Sequence, residues 1–381
     1  MKTIAILYGG KSGEHEVSLI SAASIVRNLD PAKYNLLLIG ITKTGVWLLQ
    51  EPSVLKKAMS KTSAKAAAAG EGGMVGLPPV KTGRPVYTAP GAGLVAAAAS
   101  GGVEPLPCDL VFPVLHGTFG EDGTIQGLLE CAGLPYVGAG VLGSAVGMDK
   151  QVAKELWIRE GLPVVDFIAV RKIDRTNPGF MASLSRKIEA RFGWPCFVKP
   201  ACCGSSVGAS KASDLAALEK ALDDALLYDE KVLVEQFISA REIECAVLGN
   251  EAPKAFAPGE IVPTHDFYDY EAKYKDPNGA ALRIPAPISQ QQTETVMALA
   301  IRAYKACALA GMARVDFFVD KRTGNVLLNE VNTIPGFTAI SMYPRLCGAG
   351  GLAYGALLDT LIDLAAKRFE RRSALTFSIE V

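Results

Sequence analysis

Uninterrupted apolar runs and amphipathic stripes alternate along the first third of the chain. Residues 3–8 read as a buried strand, then a Gly-rich turn, then a helix with Leu19, Ala22, Val26 and Leu29 on one stripe. Strand patterns near 34–42 and 109–115 and a helix pattern near 123–132 continue the alternation, which predicts an α/β domain. Between them, residues 50–105 carry Ala66–Ala69, a Gly-Glu-Gly-Gly run and Ala96–Ala99 with several prolines. That stretch is expected to be an insertion of loops and short strands, poorly ordered in part. Met148, Val152 and Leu156 stripe a predicted helix that Gly161 and Pro163 close. A strand ending at Phe197–Pro200, a Gly/Ser loop, a helix near 214–227 and a strand at 232–237 follow. Ile243, Cys245 and Val247 alternate in a further strand; a long helix fills 290–310, and a terminal helix spans 352–371. Antiparallel strands mixed with helices from 150 onward suggest α+β lobes rather than one doubly wound sheet.

The segments 314–320 and 325–332 are strand-like, and the turn residues between them predict a β-hairpin. Centred on Thr323, Asp316 faces Glu330, Arg314 faces Asn332 and Phe318 faces Leu328. With a side-chain period of two, all six share one face. Directly opposed carboxylates repel, so a positive charge is expected between them, and a hard divalent cation with nucleotide phosphates fits. The apolar pair beside them would suit a flat base.

Composition narrows the function. Of 381 residues, Lys+Arg and Asp+Glu number 39 each, giving zero net charge, and no basic stripe points to nucleic acid or an anionic membrane. No signal-peptide pattern or membrane-length apolar stretch is evident, and the eight cysteines contain no C-x-x-C pair. Reduced thiols in a cytoplasmic protein are the expectation.

Two nucleotide signatures fail. Gly9-Gly-Lys-Ser12 lacks the glycine a phosphate loop needs, since Ala5 stands there; Gly138–Gly143 matches G-x-G-x-x-G but has only Asp166 as its distant acid. Gly204-Ser-Ser-Val-Gly208 is better placed to cradle phosphates, with Ser205 and Ser206 adding hydroxyl donors and Lys199 supplying charge. Glu14-His15-Glu16 lies where open α/β sheets place ligands, and His116 ends a later strand at the same crevice. The polar, aromatic run 267–274 reads as a lid over a site.

Taken together, these motifs resemble the ATP-grasp ligases, and among them the D-alanine–D-alanine ligase family. The likeness rests on residues 9–18, Leu115-His-Gly117, 120–127, Met148-Asp-Lys150, Val198-Lys-Pro200, 204–208, 268–274, Arg314-Val-Asp316 and 329–336, in that order, over nearly the whole chain apart from 50–105. It implies a three-lobed ATP-grasp fold: an N-terminal α/β (preATP-grasp) domain over 1–145, a central lobe over 146–238 and a C-terminal lobe with hairpin and lid over 239–381. It implies an enzyme that joins two D-alanines through a D-alanyl phosphate, giving ADP and phosphate, for peptidoglycan precursors. ATP would meet Lys150, Lys199, Ser206 and Lys273 at its phosphates. Phe197, Glu235, Phe237, Ile238, Phe318 and Leu328 would hold its base, and Glu242 its ribose. Two Mg²⁺, or Mn²⁺, would sit on Asp316, Glu330 and Asn332. Glu14 would take the first D-alanine's ammonium and bond Ser205 and Tyr274; His116 would lie beside it. Arg314 and Gly336 would meet the oxyanion, and Ser341 and Met342 the second subsite. The resemblance also suggests a cytoplasmic homodimer. Cys202-Cys203 departs from the more polar residues usual in relatives. D-Serine or D-lactate as second substrate, or a non-catalytic ATP-binding regulator, are the alternatives; Tyr274 stands where lactate-forming relatives carry histidine.

Overall fold

Three β-sheets organise the chain, seen in a computed structural model that describes residues 1–60, 76–263 and 280–377. The first centres on three parallel strands, β2 (Tyr34–Ile41), β1 (Lys2–Gly9) and β7 (Leu110–Val114). Helix α1 (His15–Asn28) packs against this sheet, and Ile4–Tyr8 are wholly buried, as expected of a parallel strand covered on both faces. The described residues of the 50–105 stretch include short strands, as expected, and these extend this sheet. Antiparallel strands β3 (Trp47–Leu49), β4 (Arg84–Ala89), β5 (Gly93–Ala97) and β6 (Val103–Pro105) continue it in that order, with α2 (Pro52–Met59) beside them. The runs at 66–69 and 70–73 lie outside the described residues.

After α3 (Thr124–Cys131) come two helices where the stripe predicted one: α4 (Val141–Met148) and α5 (Lys150–Arg159). They are separated at Asp149, whose extended backbone and carboxylate, accepting from Gln151 N and Val152 N at 3.1 Å, cap α5. Met148 therefore ends α4, and the buried face of α5 is Ala153, Lys154 and Trp157, not Val152 and Leu156. Gly143, the last glycine of the rejected dinucleotide pattern, serves packing: a Cβ there would lie 2.5 Å from the Ala308 carbonyl oxygen, and one on Gly147 of the same helix 2.5 Å from Thr333 Cγ2.

The second sheet has four strands, ordered β10 (Ser210–Ala212), β9 (Cys196–Pro200), β11 (Lys231–Gln236) and β8 (Phe167–Arg171). Leu184 and Ile188 of α6 (Phe180–Arg191) and Leu218 and Leu222 of α7 (Leu215–Ala225) complete its core. The third sheet runs β15 (Ala280–Arg283), β14 (Gly259–Pro263), β12 (Ala240–Leu248), β16 (Met312–Asp320), β17 (Val326–Asn332), with β13 (Lys254–Ala255) paired to β12. Helix α8 (Gln290–Ala306) buries Val296, Ala300 and Tyr304 in the same cluster as Phe317 and Leu328. The lobe boundaries drawn at 145/146 and 238/239 fall inside α4 and in the turn between β11 and β12.

The final helices α9 (Met342–Ala349) and α10 (Tyr354–Ser373) return to the first sheet. Phe337 ties them together, edge-on to Phe112 of β7 at 6.1 Å and to Tyr354 at 6.3 Å. Aromatic pairs of this geometry add about 0.5–1.5 kcal/mol each beyond area burial. The third sheet's exit at 333–338 is thereby held against the carboxyl end of the first.

Candidate active site

A cleft of about 240 Å³ opens between the second and third sheets. Phe197 and Lys199 of β9, Glu235–Ile238 at the end of β11, Glu242 and Glu244 of β12, Phe318 of β16 and the 204–206 turn line it. At its inner end stand Lys150, Arg314, Asp316, Asn329 and Glu330.

The hairpin supplies the acidic wall. Arg314 pairs with Asn332 and Asp316 with Glu330, as the sequence predicts, but the register then slips: Phe317 pairs with Leu328 and Phe318 with Leu327. The extra residue is Asn329, a β-bulge in β17. Leu328 is consequently fully buried opposite Phe317 in the core and does not line the cleft, whereas Phe318 does. Leu328, expected to hold a base together with Phe318, is a core residue instead. The bulge turns Asn329 inward, where its Oδ1 accepts from Lys199 Nζ at 2.9 Å.

Arg314 forks onto Asp316 at 2.8 and 2.7 Å and ion-pairs with Glu244 at 3.1 Å, while Asn332 Nδ2 donates to Asp316 Oδ2 at 2.9 Å. Burial opposes the Arg314 charge, but Asp316, Glu244 and Glu330 outweigh it and raise its pKa further. Lys150 Nζ stands 3.5 Å from Glu330. Two cations thus lie against two opposed carboxylates. Among the described residues no group of three or more Cys, His, Asp or Glu gathers as a metal cage. Two carboxylates and an amide fit a hard divalent ion that completes its shell with water and phosphate oxygens.

Lys150 is the first residue of α5, the end of a helix dipole that disfavours a cation, so packing alone does not account for it. Its Nζ donates to the Cys203 carbonyl at 2.6 Å. Burial works against its charge, yet Glu330, joined by Glu235, leaves its pKa raised. Cys202 and Cys203 contribute backbone rather than thiolate: burial pushes the Cys202 thiol up to about 12 and raises Cys203 as well. Lys199 ion-pairs with Glu235 at 2.9 Å, and Lys154 reaches the other oxygen of Glu235 at 2.8 Å. The Glu235 carboxylate is therefore turned to lysines, which leaves its backbone, not its side chain, to meet a base. Phe237 lies under the Lys211 ammonium, 4.3 Å from its centroid.

Ser205 and Ser206 both have positive φ, 51° and 58°, in the turn closed by Val207 N donating to Gly204 O at 3.1 Å. Non-glycine residues held there cost roughly 1–3 kcal/mol each and mark functional turns. Ser205 Oγ donates to Glu14 Oε1. Glycines flank that carboxylate closely: a Cβ on Gly204 would approach Glu14 Oε2 to 2.6 Å and one on Gly117 to 2.9 Å. His15 and Glu16 do not join Glu14. His15 Nδ1 is hydrogen-bonded to the Gly10 carbonyl, and Glu16 is ion-paired with Lys43 at the surface. His116 is buried, donating from Nδ1 to Ile334 O at 3.0 Å, so its Nε2 accepts from Ser21 Oγ at 3.2 Å. Burial holds its pKa below the ordinary value, against the pull of Glu14.

Gly336 has room for no side chain, since a Cβ would meet Ser341 Oγ at 2.7 Å. Ser341 Oγ accepts from Thr338 N at 2.9 Å at the start of α9. Met342, expected beside it in the second subsite, is buried in the core with Phe256 and Leu346. Lys273 and Tyr274 lie outside the described residues. Sequence reasoning missed Lys154, Glu244, Glu121 and Asn329. The first two had a signal: Lys154 is one helical turn beyond Lys150, and Glu244 shares a strand face with Glu242.

Comparison with known proteins covers both ends of the chain. Profiles described as "D-ala D-ala ligase N-terminus" and "D-ala D-ala ligase C-terminus" match residues 3–139 and 156–363. A D-alanine–D-alanine ligase of Treponema denticola is 48% identical over 378 residues, 96% of each chain. The structure of a D-alanine–D-alanine ligase from Coxiella burnetii superposes with a TM-score of 0.80 at 37% identity, over 98% of this chain and 97% of that one. The VanG D-Ala:D-Ser ligase of Enterococcus faecalis superposes with a TM-score of 0.78 at 34% identity, over 96% of this chain and 99% of the other.

Proposed function

The chain belongs to the D-alanine–D-alanine ligase family, with its ATP-grasp fold, and we propose on that premise that it joins two D-alanines at the expense of ATP. The observation that carries the reading is the Ser205–Glu14 hydrogen bond: an ammonium-binding carboxylate is attached directly to a strained, phosphate-cradling turn. An amino acid held at Glu14 would have its own carboxylate near the γ-phosphate of ATP held by that turn.

Adenine would lie between Phe197 and Phe318, meeting backbone from Glu235 to Ile238, with its ribose at Glu242. The phosphates would meet Lys150, Lys199, the turn at Ser205 and Ser206, and, by family resemblance, Lys273. Mg²⁺ ions would be held by Asp316, Glu330 and Asn332; when bound they neutralise phosphate charge. In the first step a carboxylate oxygen of the first D-alanine attacks the γ-phosphorus. An O–P bond forms, the β–γ bridging bond breaks, and ADP leaves. In the second, the neutral amine of the second D-alanine attacks the acyl carbon. The C–N bond forms, the C–O bond to phosphate breaks, and the amine loses its proton. Arg314 and the Gly336 N–H would stabilise the oxyanion formed between these events. His116, neutral and fixed as a single tautomer, shapes the first subsite, and Ser341 would reach the second. The three sheets would correspond to three lobes. Tyr274 closing over Glu14, a cytoplasmic homodimer and a role in peptidoglycan precursors complete the reading.

The likeness to the VanG D-Ala:D-Ser ligase favours D-serine as the second reading. Phosphate release with ATP and Mg²⁺, given D-alanine alone or with D-serine or D-lactate and products weighed by mass, separates them. D-Alanyl-D-alanine from D-alanine alone is expected. D-Alanyl-D-serine preferred at equal concentrations would replace the first reading with the second, and a preferred D-lactate product would overturn both.

A further inference from the structure

We propose that Lys154 is a positioning residue for the nucleotide phosphates, acting through Glu235 to hold Lys199 at the cleft. It rests on ATP binding in this cleft.

Lys154 is wholly buried in α5 and takes no part in lining the cleft. Its Nζ lies 2.8 Å from Glu235 Oε1 and donates to the Val165 carbonyl at 3.3 Å. The other oxygen of Glu235 is 2.9 Å from Lys199 Nζ, which also donates to Asn329 Oδ1 at 2.9 Å. Two ammoniums thus share one carboxylate, and only Lys199 borders the cleft. The surplus positive charge of the triad is delivered there. A neutral filler at 154 would leave a Lys199–Glu235 pair with no net charge to offer a phosphate.

Burying an ammonium costs several kcal/mol unless it is well paired. A methionine would fill the same volume without that cost, so the charge, not the bulk, is what the position supplies. The charged groups around Lys154 are Glu235 on β11, Lys199 on β9 and Glu330 on β17, with the Phe167 ring of β8 5.7 Å away. Burial pushes its pKa down to about 8 against the pull of Glu235. Affinity for ATP should therefore weaken as pH rises through that range.

The test is calorimetric titration of the full-length protein with ATP and Mg²⁺, without D-alanine, from pH 7 to 9.5, together with steady-state kinetics. Lys154→Met should weaken ATP binding at least ~10-fold at pH 7.5 while the KM for D-alanine stays within about twofold, and should abolish the alkaline loss of affinity. Should Lys154→Met fail to fold, Lys154→Gln keeps a donor for Glu235 without the charge and should show the same weakening. A folded variant that binds ATP like the wild type overturns the proposal. So does one that loses ATP and D-alanine affinity equally while keeping the alkaline transition. A wild-type protein that does not bind ATP would overturn the nucleotide reading itself.

Discussion

Ser205 and Glu14 are 191 residues apart in sequence, yet the Ser205 hydroxyl donates to the Glu14 carboxylate, joining the 204–206 turn beside the second sheet to the loop that follows the first strand. Ser205 holds this bond at the cost of a left-handed backbone. Ser205→Gly separates the two effects: it relieves strain of about 1 kcal/mol and removes the hydroxyl. The melting temperature should hold or rise while turnover falls by ~10-fold or more, because a catalytic contact, unlike strain, is lost. Unchanged turnover would mean that the bond is not used.

Arg314→Lys keeps the charge but loses the fork onto Asp316. Turnover should fall by ~10²-fold, with ADP affinity changed far less. Equal losses in both, measured by steady-state kinetics and calorimetry, would make Arg314 a phosphate or structural residue.

Glu330→Gln removes one of the two opposed carboxylates. It relieves their repulsion but removes the ion pair of buried Lys150, so stability to urea should change little in net, while Mg²⁺-dependent turnover should be lost. Near-normal activity at ordinary Mg²⁺ would rule out a metal at this position.

Glu121 predicts a pH dependence. It is buried, accepting from Gly117 N at 2.9 Å and Ile334 N at 3.1 Å, and burial, with the Glu14 charge, pushes its pKa up from 4.5 to about 7. The folded state thus holds this proton more tightly than the unfolded state. Its contribution to stability is full below pH 4.5 and lost as pH rises through about 7. Urea unfolding of the wild type against Glu121→Gln should show a difference that declines over this window, by at most roughly 3 kcal/mol. A pH-independent difference would place the Glu121 pKa in the ordinary range.

The sequence made the hairpin's acidic end legible because strand period and turn chemistry fix which residues face each other: Arg314, Asp316, Glu330 and Asn332 meet as expected. The register beyond Asp316 was not legible, since nothing local marks Asn329 as an extra residue, and Leu328 was misplaced as a result. The α4–α5 break was masked by a continuous stripe, although Asp149 is a capping residue. Lys154 stayed hidden for another reason: a lysine is rarely buried, and only tertiary packing reveals that this one is. Met342 shows the reverse, a residue expected at a subsite that packing drew into the core.

The most direct test of ligation through an acyl phosphate is isotope transfer. The protein is given ATP, Mg²⁺ and D-alanine carrying ¹⁸O at both carboxylate oxygens, and the released phosphate is analysed by mass. Each phosphate should carry one ¹⁸O from the first D-alanine, with its partner ¹⁸O retained in the new peptide carbonyl. Unlabelled phosphate, or phosphate release that does not depend on D-alanine, would contradict the proposed pathway.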